Sequence, residues 1–138
     1  MYPQRRRYIA WLVLCGVLAV HIGDEASTHF LDLYNPEMAA LLGLPGLQFT
    51  FPVWIVLLAL AVVGLLILSI WVRRGTFWTV QAGYAFAFLM LANGIAHLSF
   101  SIYKHAWMSG ARTSPPLIAA ALYLWYAFAY RTSESRSK

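Results

Sequence analysis

Charge is what this sequence lacks most. Only 11% of its 138 residues are Asp, Glu, Lys or Arg, whereas a soluble domain keeps about a quarter of its residues charged so that water can cover it. With 61% of the chain hydrophobic, the remaining polar groups are too sparse to enclose an aqueous core within a solvated shell. An ordinary soluble domain is excluded, and lipid is the expected solvent. Cysteine is equally scarce. Cys15 stands alone, so no intramolecular disulfide and no multi-cysteine metal centre can form, and the residue reads as a small packing group within an apolar run. The net charge of +5 would suggest nucleic acid in a soluble protein. Here the basic residues stand at the ends of apolar runs, so they set membrane orientation and no nucleic-acid partner is expected.

What is abundant is long apolar sequence. A helix needs roughly 20 apolar residues to cross about 30 Å of hydrocarbon, because all of its backbone groups must be bonded internally. Four stretches meet that need: 8–30, 51–72, 77–102 and 113–130. The second carries no charge before Arg73 and has Pro52 near its start, where a missing N–H costs nothing. The third carries Gln81, Asn93 and His97, which must face protein or water rather than lipid. The fourth opens with Ser114, Pro115 and Pro116, suited to a cap and first turn. For the first, the rival is a cleaved signal peptide with Arg5–Arg7 as its basic region. No small-x-small site follows, and Leu14 spoils a lipoprotein box at Cys15, so the segment is expected to stay attached. The expected architecture is all-α, a single membrane domain over 1–138 built as a four-helix bundle, with a polar tail at 131–138.

Arg5, Arg6, Arg7, Arg73, Arg74, Arg131, Arg136 and Lys138 fall on one side of these spans, and only Lys104 and Arg112 on the other. Short loops rich in Lys and Arg stay cytoplasmic, so both termini are expected inside a cell membrane crossed several times. All four histidines and every acid except Glu134 then lie toward the outer side. Between the first two spans, Asn35-Pro36-Glu37 has the pattern of a helix start, a capping side chain, proline and then an acid. The short helix it opens, through about residue 42 and ended by Gly43, Pro45 and Gly46, is expected to lie in the outer interface as a lid. His recurs at a spacing of eight in His21/His29 and His97/His105, too slight a pattern to establish duplication.

At 3.6 residues per turn His21, Asp24, Glu25 and Thr28 form one polar stripe on the first span, with His29 near its edge, and Asn93, His97 and Ser101 form a second on the third span. From the inner boundary His21 lies about 20 Å and His97 about 30 Å along their helices, so the stripes can meet in the outer leaflet. Two adjacent carboxylates in hydrocarbon cost several kcal/mol unless a cation, a proton or a hydrogen-bond donor compensates them. A divalent metal does so, and zinc and iron are common users of mixed imidazole and carboxylate sets. His21, Glu25 and His97 are the expected ligands, with Asp24 as an orienting group or general base and a position left for water. Two alternatives use the same residues: hydrogen bonds that only glue the two helices, and an ion or proton pathway. Tyr103, Lys104 and His105 read as interfacial anchors, with His29, Tyr103 and His105 as accessory candidates. Gln81 and Tyr84 read as interhelical hydrogen-bond residues, and the tryptophans as an aromatic belt.

His21-Ile22-Gly23-Asp24-Glu25 resembles the signature of the small bacterial membrane proteins named for HxxEE, and Asn93-Gly94-Ile95-Ala96-His97 resembles their later NxxxH motif. Ser114-Pro115-Pro116-Leu117 is similar to a Ser-Pro-Gly segment in their last span, with Pro116 replacing the glycine, and Asp24 replaces the first glutamate. The resemblance implies four spans and a metal-dependent membrane enzyme, without naming a reaction.

Together these features lead to an expected divalent-metal enzyme acting on a lipid-like or amphiphilic substrate in the outer leaflet, most simply by hydrolysis, with Asp24, Glu25 and Asn93 as catalytic groups. The alternative is a non-enzymatic carrier or binding protein that uses the same acids for protons or cations. A homo-oligomer is compatible with four short helices.

Overall fold

A backbone in hydrocarbon has no water to bond, and a helix satisfies its N–H and C=O groups within one segment. The computed structural model describes residues 3–42 and 48–134, and these form five helices: α1 Pro3–Ser27, α2 Phe30–Leu42, α3 Phe51–Arg74, α4 Trp78–Tyr103 and α5 Ser114–Glu134. No strand occurs among the described residues. Gly43, Pro45 and Gly46, together with Arg136 and Lys138 of the tail, lie outside them. α1, α3 and α4 are long and apolar enough to cross a membrane, with mean hydropathies of 1.6, 3.0 and 1.6. α5 is not among those three; its exposed face carries Tyr123, Trp125, Tyr126 and Tyr130.

Several boundaries differ from the sequence-based expectation, among them the start of α1 at Pro3 rather than at residue 8. The first span does not continue to residue 30 but ends at Ser27, where the Ser27 and Thr28 hydroxyls donate to the Asp24 carbonyl oxygen at 2.9 and 2.6 Å alongside the Thr28 N–H at 3.0 Å. His29 then turns the chain with φ of 57°. The short helix starts at Phe30 rather than at Asn35-Pro36, so Pro36 lies inside it and Asp32, not Glu37, is the acid of its first turn. Asn35 is no cap; its side chain holds the backbone of Phe49, donating to Phe49 O at 2.9 Å and accepting from Phe49 N at 3.0 Å. α5 also continues to Glu134, into the stretch read as a tail. α3 ends as its sequence indicates. Gly75, at φ of 72°, takes the left-handed conformation that glycine adopts freely, and its N–H bonds to Trp71 O and Val72 O.

α1 is the central helix, packed between α3 and α5, while α4 packs on α5 and α3 scarcely touches α4. Small residues set the α4–α5 approach. A Cβ on Gly83 would stand 2.7 Å from Phe128 Cζ, and one on Gly94 would stand 2.7 Å from Ile118 Cγ1, the close packing that small residues permit between membrane helices. Trp11 is buried, with its ring 5.1 Å from that of Phe86 and its indole N–H donating to Leu65 O of α3 at 2.8 Å. It ties three helices together rather than joining an aromatic belt, and Trp54 is buried as well. Tyr84 packs its ring 5.2 Å from Trp125, and Gln81 is exposed one turn into α4, so among the described residues the interhelical hydrogen bonds expected of these two are not made. α3 leaves Val53, Val56, Leu57, Leu60, Val63, Leu66, Ile67 and Ile70 exposed, an apolar surface that water would not tolerate on a soluble monomer.

The two ends of the bundle differ. At one, Arg7 donates to Ala127 O and Phe128 O at 3.4 and 3.1 Å, Arg6 covers the Tyr130 ring at 4.1 Å, and Arg73 lies 5.9 Å over the Tyr8 ring. The start of α1 and the last turns of α3 and α5 therefore share a basic end. About 21 Å farther along α1, at 1.5 Å per residue, the other end carries the polar cluster.

Candidate metal centre

His21 and Glu25 stand one turn apart near the end of α1, so their side chains project from one face of that helix. His97 comes from the C-terminal half of α4. His97 Nε2 lies 2.8 Å and His21 Nε2 3.5 Å from the same Glu25 oxygen, Oε1. One ligand atom from each residue lies within 4.8 Å of the others, and all three residues are buried, His21 to 1% exposure. The imidazole rings meet edge to face with centroids 5.0 Å apart.

The hydrogen bonds behind these rings decide which nitrogens face inward. His97 Nδ1 lies 2.7 Å from the carbonyl oxygen of Ser109, which can only accept, so Nδ1 carries the proton and Nε2 of the neutral ring presents a lone pair to Glu25. The Thr113 hydroxyl donates to Asp24 Oδ2 at 3.0 Å, with Gly110 O at 3.2 Å as an alternative acceptor. Its single proton is thereby used, and its oxygen accepts from His21 Nδ1 at 2.8 Å. His21 Nε2 is then also a lone pair. Asn93 Nδ2 donates to it at 3.1 Å. The His21 lone pair is thus already matched by an N–H, whereas His97 Nε2 and Glu25 Oε1, 2.8 Å apart in a buried space, are stable only with a proton or a cation between them.

The donor set fits a metal ion. Nitrogen and oxygen ligands about 2.0–2.2 Å from zinc in tetrahedral order stand about 3.3 Å from one another. The 3.5 Å His21–Glu25 separation matches that spacing, the 2.8 Å His97–Glu25 separation needs a small widening, and the two imidazoles, in a set whose atoms lie within 4.8 Å of one another, would close on the ion as it binds. Each histidine is also held through its second nitrogen, His97 by a backbone carbonyl and His21 by a hydroxyl bonded to a carboxylate, the outer support typical of metal-ligating imidazoles. The His/Glu/His group could therefore hold a metal ion.

Asp24 does not enter the converging set; its carboxylate binds Thr113 and acts on His21 through it. Ser101, expected on the α4 stripe, accepts from the N–H of Met108 at 3.0 Å. His29 lies beside Glu25 in a small pocket of about 270 Å³. Tyr103 and His105 are exposed and stand apart from the cluster, while Lys104 pairs with Glu37 at 3.1 Å.

Sequence reasoning missed the connection between α4 and α5. Ser109, Gly110 and Thr113 lie on it and fold back over the site, with the Ser109 hydroxyl 2.6 Å from Thr28 Oγ1. Gly110, at φ of 77°, is pressed against both rings. A Cβ there would stand 2.8 Å from His97 Nδ1 and 3.1 Å from His21 Cε1. The Ser-Gly pair signals a turn, but nothing local shows what that turn covers.

No protein-family model, curated protein or solved structure matches the chain. The chemistry of the site has to be argued from its own geometry.

Proposed function

We propose that the protein is a four-span cell-membrane protein with both termini cytoplasmic, and that it is a metal-dependent hydrolase of amphiphilic substrates at the outer face. The convergence of one ligand atom each from His21, His97 and Glu25 within 4.8 Å carries this reading, because two of the three residues also face a cleft where a substrate could enter. His21 and Glu25 both line a cleft that opens between α3 and α4. Support for the fourth span comes from α5, which runs antiparallel to α1 from Thr113 beside His21 to Phe128 beside Arg7. Gathering of basic residues at the far end supports the orientation, under which α2 would lie at the outer interface. The His21/Asp24/Glu25 and Asn93/His97 patterns support membership of the HxxEE group. Asp24, where that signature has glutamate, reaches Thr113 rather than the ligand set.

A bound divalent ion, zinc or iron by the character of these ligands, would supply Lewis acidity toward a carbonyl or a water molecule. The residues provide everything else. Ser109 O and the Thr113–Asp24 pair fix the two rings, the carboxylate of Glu25 faces the cleft to take up a proton, and the Asn93 amide stands at the cleft edge to orient a substrate oxygen. In hydrolysis water oxygen bonds to the acyl carbon, the bond to the leaving group breaks, and the water proton passes through the carboxylate to that group.

One observation favours a second reading. The 2.8 Å His97–Glu25 contact is the length of a charge-assisted N–H···O bond, so a proton can fill the centre, as it would in a non-enzymatic carrier of protons or cations. Elemental analysis of full-length protein purified without chelator separates the two. About one divalent transition metal per chain is expected, lost in H21A, E25A and H97A and retained in N93A. Metal-free protein that stays folded and gains no stability from added zinc or iron would overturn the hydrolase reading.

A further inference from the structure

The cleft beside the centre has a volume of about 910 Å³ and lies between α1, α3 and α4, open on the side where α3 and α4 part. Its walls are apolar, with Leu57, Ala61 and Gly64 from α3 and Ala85 and Leu89 from α4, over a floor that includes Trp11. The charged and amide side chains that line it, His21, Glu25 and Asn93, all lie at one end, and no Lys or Arg lines it. Measured along α1 from Trp11 to Glu25, the cleft is about 21 Å long at 1.5 Å per residue. The neighbouring exposed side chains Leu60, Val63, Ile67 and Phe88 continue the same apolar surface outward. In a spanning protein that surface meets hydrocarbon, where only lipid chains are available to fill a sideways opening. Next to it, sharing Glu25, Phe30, Phe49 and Trp54 as lining, is a second pocket of about 270 Å³ lined also by His29, Asp32 and Asn35, whose size suits only a small headgroup.

We propose that this cleft is the tail-binding site for a long-chain acyl ester with a small headgroup, which enters sideways from the bilayer between α3 and α4. Its chain lies along α3 toward Trp11, its ester carbonyl reaches His21, Glu25 and Asn93, and its headgroup occupies the pocket beside His29 and Asp32. This assignment rests on the hydrolase reading for the placement of the ester; the tail site itself depends only on the cleft.

Photolabelling tests it. Full-length protein in phosphatidylcholine vesicles is irradiated with a monoacylglycerol carrying a diazirine at the end of its chain, and the labelled residues are located by mass spectrometry. Label is expected on the cleft residues Ala61, Leu65, Ala85 and Trp11. Gly64→Phe should reduce it several-fold without changing metal content, because a Cβ at Gly64 meets nothing within 4 Å and the new ring grows into the cleft. Ala85→Phe should do the same from the opposite wall. Label spread evenly over Leu60, Val63 and Ile67, label undiminished by both variants, or chain-to-chain cross-links in place of lipid would overturn the tail site. Cleft labelling that persists in wild-type protein free of metal would uphold the tail site while removing the hydrolase reading.

Discussion

His97 donates its Nδ1 proton to the carbonyl oxygen of Ser109, 2.7 Å away and twelve residues on, and this bond turns the other nitrogen toward Glu25. The connection between α4 and α5 thus sets the chemical form of a residue on α4. Gly110 makes that fold-back sterically feasible, since its φ of 77° and its contact with both imidazoles leave no room for a side chain. Gly110→Ala should cost about 1–3 kcal/mol of stability and weaken metal binding about 10–100-fold, as loss of outer support typically does. Thermal unfolding in detergent and zinc titration measure the two effects.

Thr113 is the link between Asp24 and His21. Thr113→Val keeps the shape but removes the hydroxyl, leaving Asp24 Oδ2 without its donor and His21 Nδ1 without its acceptor, at a cost of about 1–3 kcal/mol. Metal affinity should fall about 10–100-fold, and Thr113→Ser should recover most of it. An affinity unchanged in the valine variant would show that the ring of His21 is held by packing alone.

The α4–α5 contact depends on glycine for its closeness. Gly94→Leu forces a side chain against Ile118 and the Ser114 carbonyl, where a Cβ would already stand 2.7 and 3.3 Å from them, and should cost about 1–3 kcal/mol by overpacking. Gly16→Ala, on an open face of α1 with nothing within 4 Å of the added Cβ, should instead stabilise by about 0.5–1 kcal/mol through helix propensity. Paired melting curves of the two variants would show shifts of opposite sign.

The proposed orientation rests on the basic end formed by Arg6, Arg7 and Arg73. A reporter fused after Lys138 should be cytoplasmic, and one inserted at Leu44 should be accessible from outside. The reverse pattern would place the metal centre on the cytoplasmic face.

The sequence by itself determined the solvent and the helices. Scarce charge and long apolar runs are properties of composition, and α3 and α4 follow them to within two residues, while α1 starts five residues earlier and ends three residues earlier than its apolar run. It also placed His21 with Glu25 on one face, because a four-residue spacing on a helix is a local geometric fact. Tertiary structure decided the rest. Whether His97 reaches Glu25 depends on α1 and α4 both packing against α5, and on glycines at 83 and 94 whose importance lies in what faces them. The break at Thr28–His29 lies where His29 takes a positive φ of 57°, and Asn35 found Phe49 rather than a helix end. The roles of Ser109, Gly110 and Thr113 were invisible in the chain, since a turn residue acquires chemistry only from the groups that the fold brings beneath it. The cleft between α3 and α4 is likewise a property of two helices that the packing of α1 and α5 keeps apart, and no spacing within either helix encodes that separation.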